Sequence, residues 1–175
     1  MANINEVLMN QLLATMSTLK QSIDTCPEKE WNERHGDYPF SQVVFHALFF
    51  TDYYLSENEE EFLAQEFHKT NTSLFTDYEE LENKIPEHLY TVEQINGYLK
   101  FCITKIRSKL ANEGLRSLSE ESGFKNRRMS KMELYIYVIR HIQHHAAQLG
   151  LRVQQLTGRE LVWIRSGWKD IDYNR

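Results

Sequence analysis

The sequence predicts an all-α protein that forms a four-helix bundle, and two observations favour this class. Glycine and proline are scarce, with seven and three among 175 residues, and no alternating apolar and polar run reads convincingly as a strand. Four long segments instead repeat their apolar residues at helical spacing. We therefore expect one domain over residues 1–175, with a long excursion between the second and third helices and a packed C-terminal tail.

The first helix carries an apolar stripe and is predicted to end near Cys26. A polar connection over residues 27–37 follows. The second helix begins near Pro39, because proline suits a first helical turn, and runs to about Ser56. Its apolar residues lie almost all round, so we expect it to be central and buried. The stripe of the first helix consists of Ile4, Leu8, Leu12, Leu19 and Ile23.

The third helix is predicted to open at Thr91, where Gln94 three residues later resembles a capping box, and to end near Gly114. The fourth helix runs from about Ser130 to Thr157, and the glycine that follows is a natural stop.

The excursion and the tail are the two irregular stretches. Residues 57–90 contain an acidic run and a short helix around Asp77 to Lys84. The tail from Glu160 to Arg175 is too apolar to be free, so we expect it to pack on the bundle. Its apolar residues are Trp163, Ile164, Trp168, Ile171 and Tyr173.

Composition argues against several classes of protein. The net charge of −5 disfavours binding to nucleic acid, which needs a positive field. No apolar run approaches the roughly 20 residues of a membrane helix, and the N-terminus lacks the pattern of a secretory signal. The isolated Cys26 and Cys102 form no CxxC pair, which favours reduced thiols in a cytoplasmic protein.

Three histidines lie on inward faces of two helices. His141 and His145 are four residues apart, roughly 40° from each other around the fourth helix. His46 shares one side of the second helix with apolar and aromatic residues. A buried unsatisfied polar group costs about 1–3 kcal/mol, and one shared metal ion would satisfy all three imidazoles. The alternative is that each is a core histidine bonded separately to a carbonyl or hydroxyl group.

The remaining histidines are assigned no ligand role. His144 points about 100° away from His145, toward a flank of the helix. His35, His68 and His88 lie in polar connections and are interpreted as surface residues.

The ligand pattern narrows the kind of metal site. Ile142 stands where a zinc-protease helix has its glutamate base, and no histidine has the glutamate three residues earlier that di-iron bundles use. Three neutral nitrogens without carboxylates are typical of a catalytic zinc site with an open position, and nickel or ferrous iron also suits imidazole. Gln148 either binds a ligand at that position or is an ordinary surface residue.

These residues resemble the DinB-like (damage-inducible), or YfiT-like, family of metalloenzymes. The resemblance lies in a second-helix histidine followed by Phe49-Phe50-Thr51-Asp52-Tyr53-Tyr54-Leu55, and in a late His-x-x-His-His followed by Gln-Leu. It implies a four-helix bundle in which His46, His141 and His145 bind a divalent metal, while His144 is the extra histidine of the motif. Ala147 stands where the family often has glycine, which puts local helix packing in question.

The resemblance also implies functions. Some members of the superfamily are thiol-dependent S-transferases, in which the metal holds a low-molecular-weight thiol as thiolate. The alternative is a non-catalytic helical module that binds metal or another protein. Metal-dependent hydrolysis needs a general base, for which Asp52, Tyr53 and Gln148 are the only nearby candidates. We also expect a homodimer, and we interpret the basic cluster of Lys125, Arg127, Arg128 and Lys131 as a solvated loop rather than an anion site.

Overall fold

A computed structural model describes residues 3–36, 38–82, 86–125 and 127–171 and is mostly helical over them. Its α-helices are α1 (Ile4–Thr25), α2 (Phe40–Leu55), α3 (Glu59–Ala64), α4 (Glu66–Thr70), α5 (Val92–Asn112) and α6 (Lys131–Thr157). Turns of 3-10 helix cover Glu28–Glu30, Thr72–Leu74, Thr76–Leu81 and Ser117–Ser119. The two-residue strands β1 (Arg34–His35) and β2 (Tyr38–Pro39) pair antiparallel and are too short to leave an alternating pattern in the sequence.

The ends of the long helices follow their capping residues. Thr91 and Gln94 form both bonds of the predicted capping box at the start of α5. The Ser130 side chain accepts from a backbone N–H in the first turn of α6. Gly158 ends that helix with a φ of 71°, a left-handed conformation that glycine adopts without strain. The predicted ends of the four long helices are therefore confirmed to within a few residues.

The four long helices pack in pairs around a continuous apolar core. Both α1 and α2 contact α5 and α6. Most residues of α2 are buried, as the all-round apolar pattern predicts, because α2 also lies beneath the excursion. This packing brings the middle of α2 against the middle of α6, where the candidate histidines lie.

The excursion is more ordered than the sequence indicates. Asn58 caps α3 with its side chain, and α4 follows at once. Helices of five or six residues are too short to show an apolar repeat, which explains why they were not predicted. The short helix expected around Asp77 to Lys84 is a 3-10 helix that ends at Leu81, and residues 83–85 lie outside the described part.

The described part of the tail packs along α1, as expected. Gln21 on α1 accepts from the Val162 backbone N–H and donates to its carbonyl, at 2.9 and 3.0 Å. Ile164 is buried, whereas Trp163 is 78 % exposed and so departs from the expected packing. Tyr173 lies outside the described residues. Among the described helices, none is both long enough and apolar enough to cross a membrane.

Candidate metal centre

Three histidine side chains meet where α2 faces α6. The Nε2 atom of His141 lies 3.2 Å from Nε2 of His46 and 3.2 Å from Nε2 of His145. Each residue offers one ligand atom, and the three atoms all lie within 4.8 Å of one another. The structure thus brings together the three histidines that the sequence selects, at the distances of a shared site.

Two of the three outer ring nitrogens contact acceptor oxygens. His46 Nδ1 lies 2.7 Å from Oε2 of Glu80, and His145 Nδ1 lies 3.0 Å from Oε1 of Gln148. Because carboxylate and amide oxygens accept hydrogen bonds, both Nδ1 atoms donate. In the neutral imidazole the other nitrogen then carries a lone pair, so His46 and His145 both direct an Nε2 lone pair toward His141.

Nitrogens arranged in this way suit a cation. Nε2 of His141 carries at most one proton, so it can donate to only one of the two lone pairs of His46 and His145. A divalent ion, in contrast, can be bound by all three nitrogens. Zinc–nitrogen bonds of about 2.0–2.1 Å in a tetrahedral site separate neighbouring nitrogens by about 3.3–3.4 Å. The two measured separations of 3.2 Å agree with that value. The three-histidine group therefore has a geometry able to hold a metal ion.

The local electrostatics keep His141 and His145 in the neutral form. Burial, and then the neighbouring imidazoles, lower the pKa of His141 to about 3 and that of His145 to about 4. Neutral imidazole is the form that binds metals. Nδ1 of His141 is buried and finds no hydrogen-bond partner among the described residues, so this ring lacks the outer support that the other two have.

A cavity of about 620 Å³ opens beside His46 and His145. This volume lies within the range of about 300–1,000 Å³ typical of small-molecule sites. Phe50 and Val43 form an apolar part of the cavity wall. Arg152 also lines the cavity and lies one helical turn beyond Gln148 on α6. The carboxylates of the wall belong to Glu79, Glu80 and Glu82.

Glu80 is the site residue that sequence reasoning missed. The site was predicted to be poor in carboxylates, yet this one contacts His46, and its side chain is only 6 % exposed. It comes from the 3-10 helix Thr76–Leu81, 34 residues after its partner. No spacing rule links positions so far apart, and the acidic character of the excursion was the only available signal.

Two candidate bases do not contact the three histidines. The Asp52 carboxylate is fully buried and accepts from His68, Tyr98 and Lys105. The Tyr53 hydroxyl donates to Glu59, and its ring lines a separate cavity of about 720 Å³. Neither group contacts the three histidines, because Asp52 is turned about 120° around α2 from His46, and Tyr53 lies on the His46 face but two turns further along the helix.

Other predictions for this region have mixed outcomes. The surface assignment of His68 is wrong, since its side chain is almost fully buried under the excursion, whereas His144 is exposed as predicted. Gln148 is exposed, as the surface alternative predicts, and its Oε1 also contacts Nδ1 of His145. Ala147 is exposed, so its methyl group does not disturb packing between helices.

The basic cluster is only partly a solvated loop. Lys131 pairs with Glu57, and the Arg127 guanidinium lies over the rings of Tyr54 and Tyr137. Lys125 and Arg128 are exposed, as predicted.

Comparison with protein-family models, with curated proteins and with solved structures finds no match to this chain. Its function is therefore inferred from its own residues.

Proposed function

We propose that this protein is a DinB-like four-helix-bundle metalloenzyme in which His46, His141 and His145 hold a divalent ion. Zinc or nickel suits three imidazoles best, and iron also fits. The observation that carries the proposal is the convergence of three Nε2 atoms. In two of the three rings, the other nitrogen, Nδ1, is held by a hydrogen bond. Such outer hydrogen bonds are characteristic of histidines that bind metals.

The proposed reaction is transfer of a low-molecular-weight thiol to an electrophilic carbon: the thiol loses its proton, its sulfur forms a bond to that carbon, and the leaving group of the electrophile departs with its bonding electrons. A divalent cation supplies Lewis acidity and holds a coordinated thiol as thiolate at neutral pH. Three protein ligands leave a coordination position open. The 620 Å³ cavity is lined by two of these ligands, His46 and His145. In this proposal Glu80 and Gln148 orient the rings, while Phe50 and Val43 exclude water from one wall of the cavity.

Metal analysis of protein purified without a histidine tag tests the site. We expect about one ion per chain in the wild type and less than about a tenth of that in His141→Ala. His144→Ala is the matched control, because it removes a neighbouring but exposed imidazole and should retain the metal. Equal metal content in the wild type and His141→Ala would contradict the proposal.

Assays with a panel of thiols test the reaction. Metal-loaded protein is supplied with an electrophile and with bacillithiol, coenzyme A or glutathione, and the thioether product is measured. We expect turnover with at least one thiol and its loss in His145→Ala. Retained metal with no turnover across the panel would refute the transferase assignment while leaving the metal site intact.

The second candidate is a non-catalytic metal-binding or protein-interaction module. It is favoured by the contacts of Asp52 and Tyr53, since the first is paired with His68 and the second donates to Glu59, and neither contacts the histidines. If the ion is structural, its removal by a chelator should lower the melting temperature substantially. If the ion occupies an open catalytic site, its removal should reduce the stability of the protein little. In either case we propose a cytoplasmic homodimer in which Cys26 and Cys102 stay reduced; both are free in the structure.

A further inference from the structure

Among the contacts between the excursion and α2, two lie on different sides of that helix and matter for the site. His68 of α4 contacts Asp52, and Glu80 of the 3-10 helix Thr76–Leu81 contacts His46. Positions 46 and 52 are about 120° apart around the helix axis. The chain between the two contacts therefore wraps partly around α2, from a buried ion pair to the candidate metal centre.

Asp52 is the fixed end of this wrap. Its carboxylate accepts from Nε2 of His68 at 2.8 Å and from the Tyr98 hydroxyl at 2.9 Å, and it pairs with the Lys105 ammonium. Burial raises the pKa of Asp52, but the hydrogen bond from His68 and the charge of Lys105 outweigh burial and hold it below its usual value. Gln65, which lies between α3 and α4, also donates to this carboxylate at 3.1 Å. Asp52 is thus a buried anion whose position is set by four side-chain partners.

Tyr78 connects this anchor with Glu80. Because His68 donates from Nε2 to Asp52, its neutral ring can accept at Nδ1, and the Tyr78 hydroxyl lies 3.3 Å away. Tyr78 precedes Glu80 by two residues and has a φ of 49°, a left-handed conformation unfavourable for a bulky side chain. A strained residue persists only where its surroundings hold it, and here its side chain contacts the anchored His68.

We propose that His68 and Tyr78 are positioning residues for the candidate metal centre. They transmit the position of Asp52 to the Glu80 carboxylate, and Glu80 in turn fixes the orientation of the His46 ring. The orientation of the His46 ring does not depend on a metal ion. The effect of that orientation on metal affinity, in contrast, rests on the proposed function. A ligand shell needs its supporting contacts held to within about 0.5 Å, which explains why a buried anchor is useful on an excursion built only of short helical turns.

The test is the Nδ1–H resonance of His46 in metal-free, 15N-labelled protein. A proton shared with a shielded carboxylate is shifted downfield and exchanges slowly, and its loss in Glu80→Ala assigns it. We expect the resonance in the wild type, its loss in His68→Phe and its broadening in Tyr78→Phe. Tyr98→Phe is the matched control, because it removes a hydrogen bond to the same Asp52 but leaves the His68–Tyr78 contact.

Zinc affinity is the second readout. We expect His68→Phe to weaken zinc binding about tenfold, as loss of an outer-shell contact does, with a smaller effect for Tyr78→Phe and none for Tyr98→Phe. If His68→Phe does not fold, Tyr78→Phe decides, because it removes a single oxygen atom. An unchanged His46 resonance in the folded variants, or an equal loss in Tyr98→Phe, would overturn the positioning role. A wild type that shows the resonance but binds no zinc would refute the proposed function alone.

Discussion

Replacing Glu80 by alanine tests how far a carboxylate outside the ligand set supports the site. The Glu80 Oε2 atom lies 2.7 Å from His46 Nδ1, and the side chain is almost fully shielded from solvent. A hydrogen bond to a charged group contributes about 1.5–3 kcal/mol, and about 1.4 kcal/mol corresponds to a tenfold change in affinity. We therefore expect Glu80→Ala to weaken zinc binding about 10- to 150-fold. Glu80→Gln keeps an acceptor oxygen without the charge, so its zinc affinity should lie between those of the wild type and Glu80→Ala.

Competition with a chromophoric chelator at neutral pH measures these affinities. Glu82→Gln is the control, because it removes one negative charge from the wall of the same cavity. That change should alter the affinity only about twofold, the size expected for a substitution outside the contact. The reasoning fails if Glu80→Ala binds zinc as tightly as the wild type. It also fails if Glu82→Gln weakens binding equally, since the cause would then be the charge of the cavity and not the hydrogen bond.

Three further predictions concern stability and are measured by urea unfolding. Asp52→Ala leaves the mostly buried Lys105 ammonium without its carboxylate and should lower the free energy of unfolding by about 3–5 kcal/mol; a loss below about 1 kcal/mol would contradict the buried pair. Because the pKa of Asp52 is lowered by folding, its contribution is present above the unfolded value of about 3.9 and is lost as the pH falls through the folded value. The stability difference between the wild type and Asp52→Asn should therefore shrink below about pH 4, and a constant difference would argue against it. Gly123→Ala should destabilise by about 1–3 kcal/mol and more than Gly150→Ala, because the added carbon meets a backbone carbonyl at 2.0 Å in the first case and a movable leucine methyl at 2.9 Å in the second. Equal losses would show that the backbone yields as easily as a side chain.

Much of the fold could be predicted because its signals are local. The capping box at Thr91 and Gln94 and the left-handed Gly158 mark helix ends through interactions between residues a few positions apart. The same is true of His141 and His145, since a separation of four residues places two side chains on one helical face. Identification of His46 as their partner needed one non-local step, the expectation that two buried helices pack against each other.

The contacts that support the site were beyond this kind of inference. Glu80 and His68 belong to a segment with short helices and little periodicity, and each meets a residue of α2 more than ten positions away. His68 looked like a surface residue because its neighbours in the sequence are polar, yet the excursion folds back and buries it. Tyr53 and Asp52 looked available near His46, but Asp52 is turned to another side of α2, and Tyr53 lies two turns further along with its hydroxyl bonded to Glu59.

The amino-acid order alone thus specifies the long helices and the faces on which the three histidines stand, because hydrogen bonds and side-chain spacing within a helix act over a few residues. Folding in three dimensions sets which oxygen holds each imidazole and which carboxylate is a buried anchor. Those contacts depend on how a wrapped segment of about thirty residues closes over α2, and closure of that kind is governed by packing between distant parts of the chain.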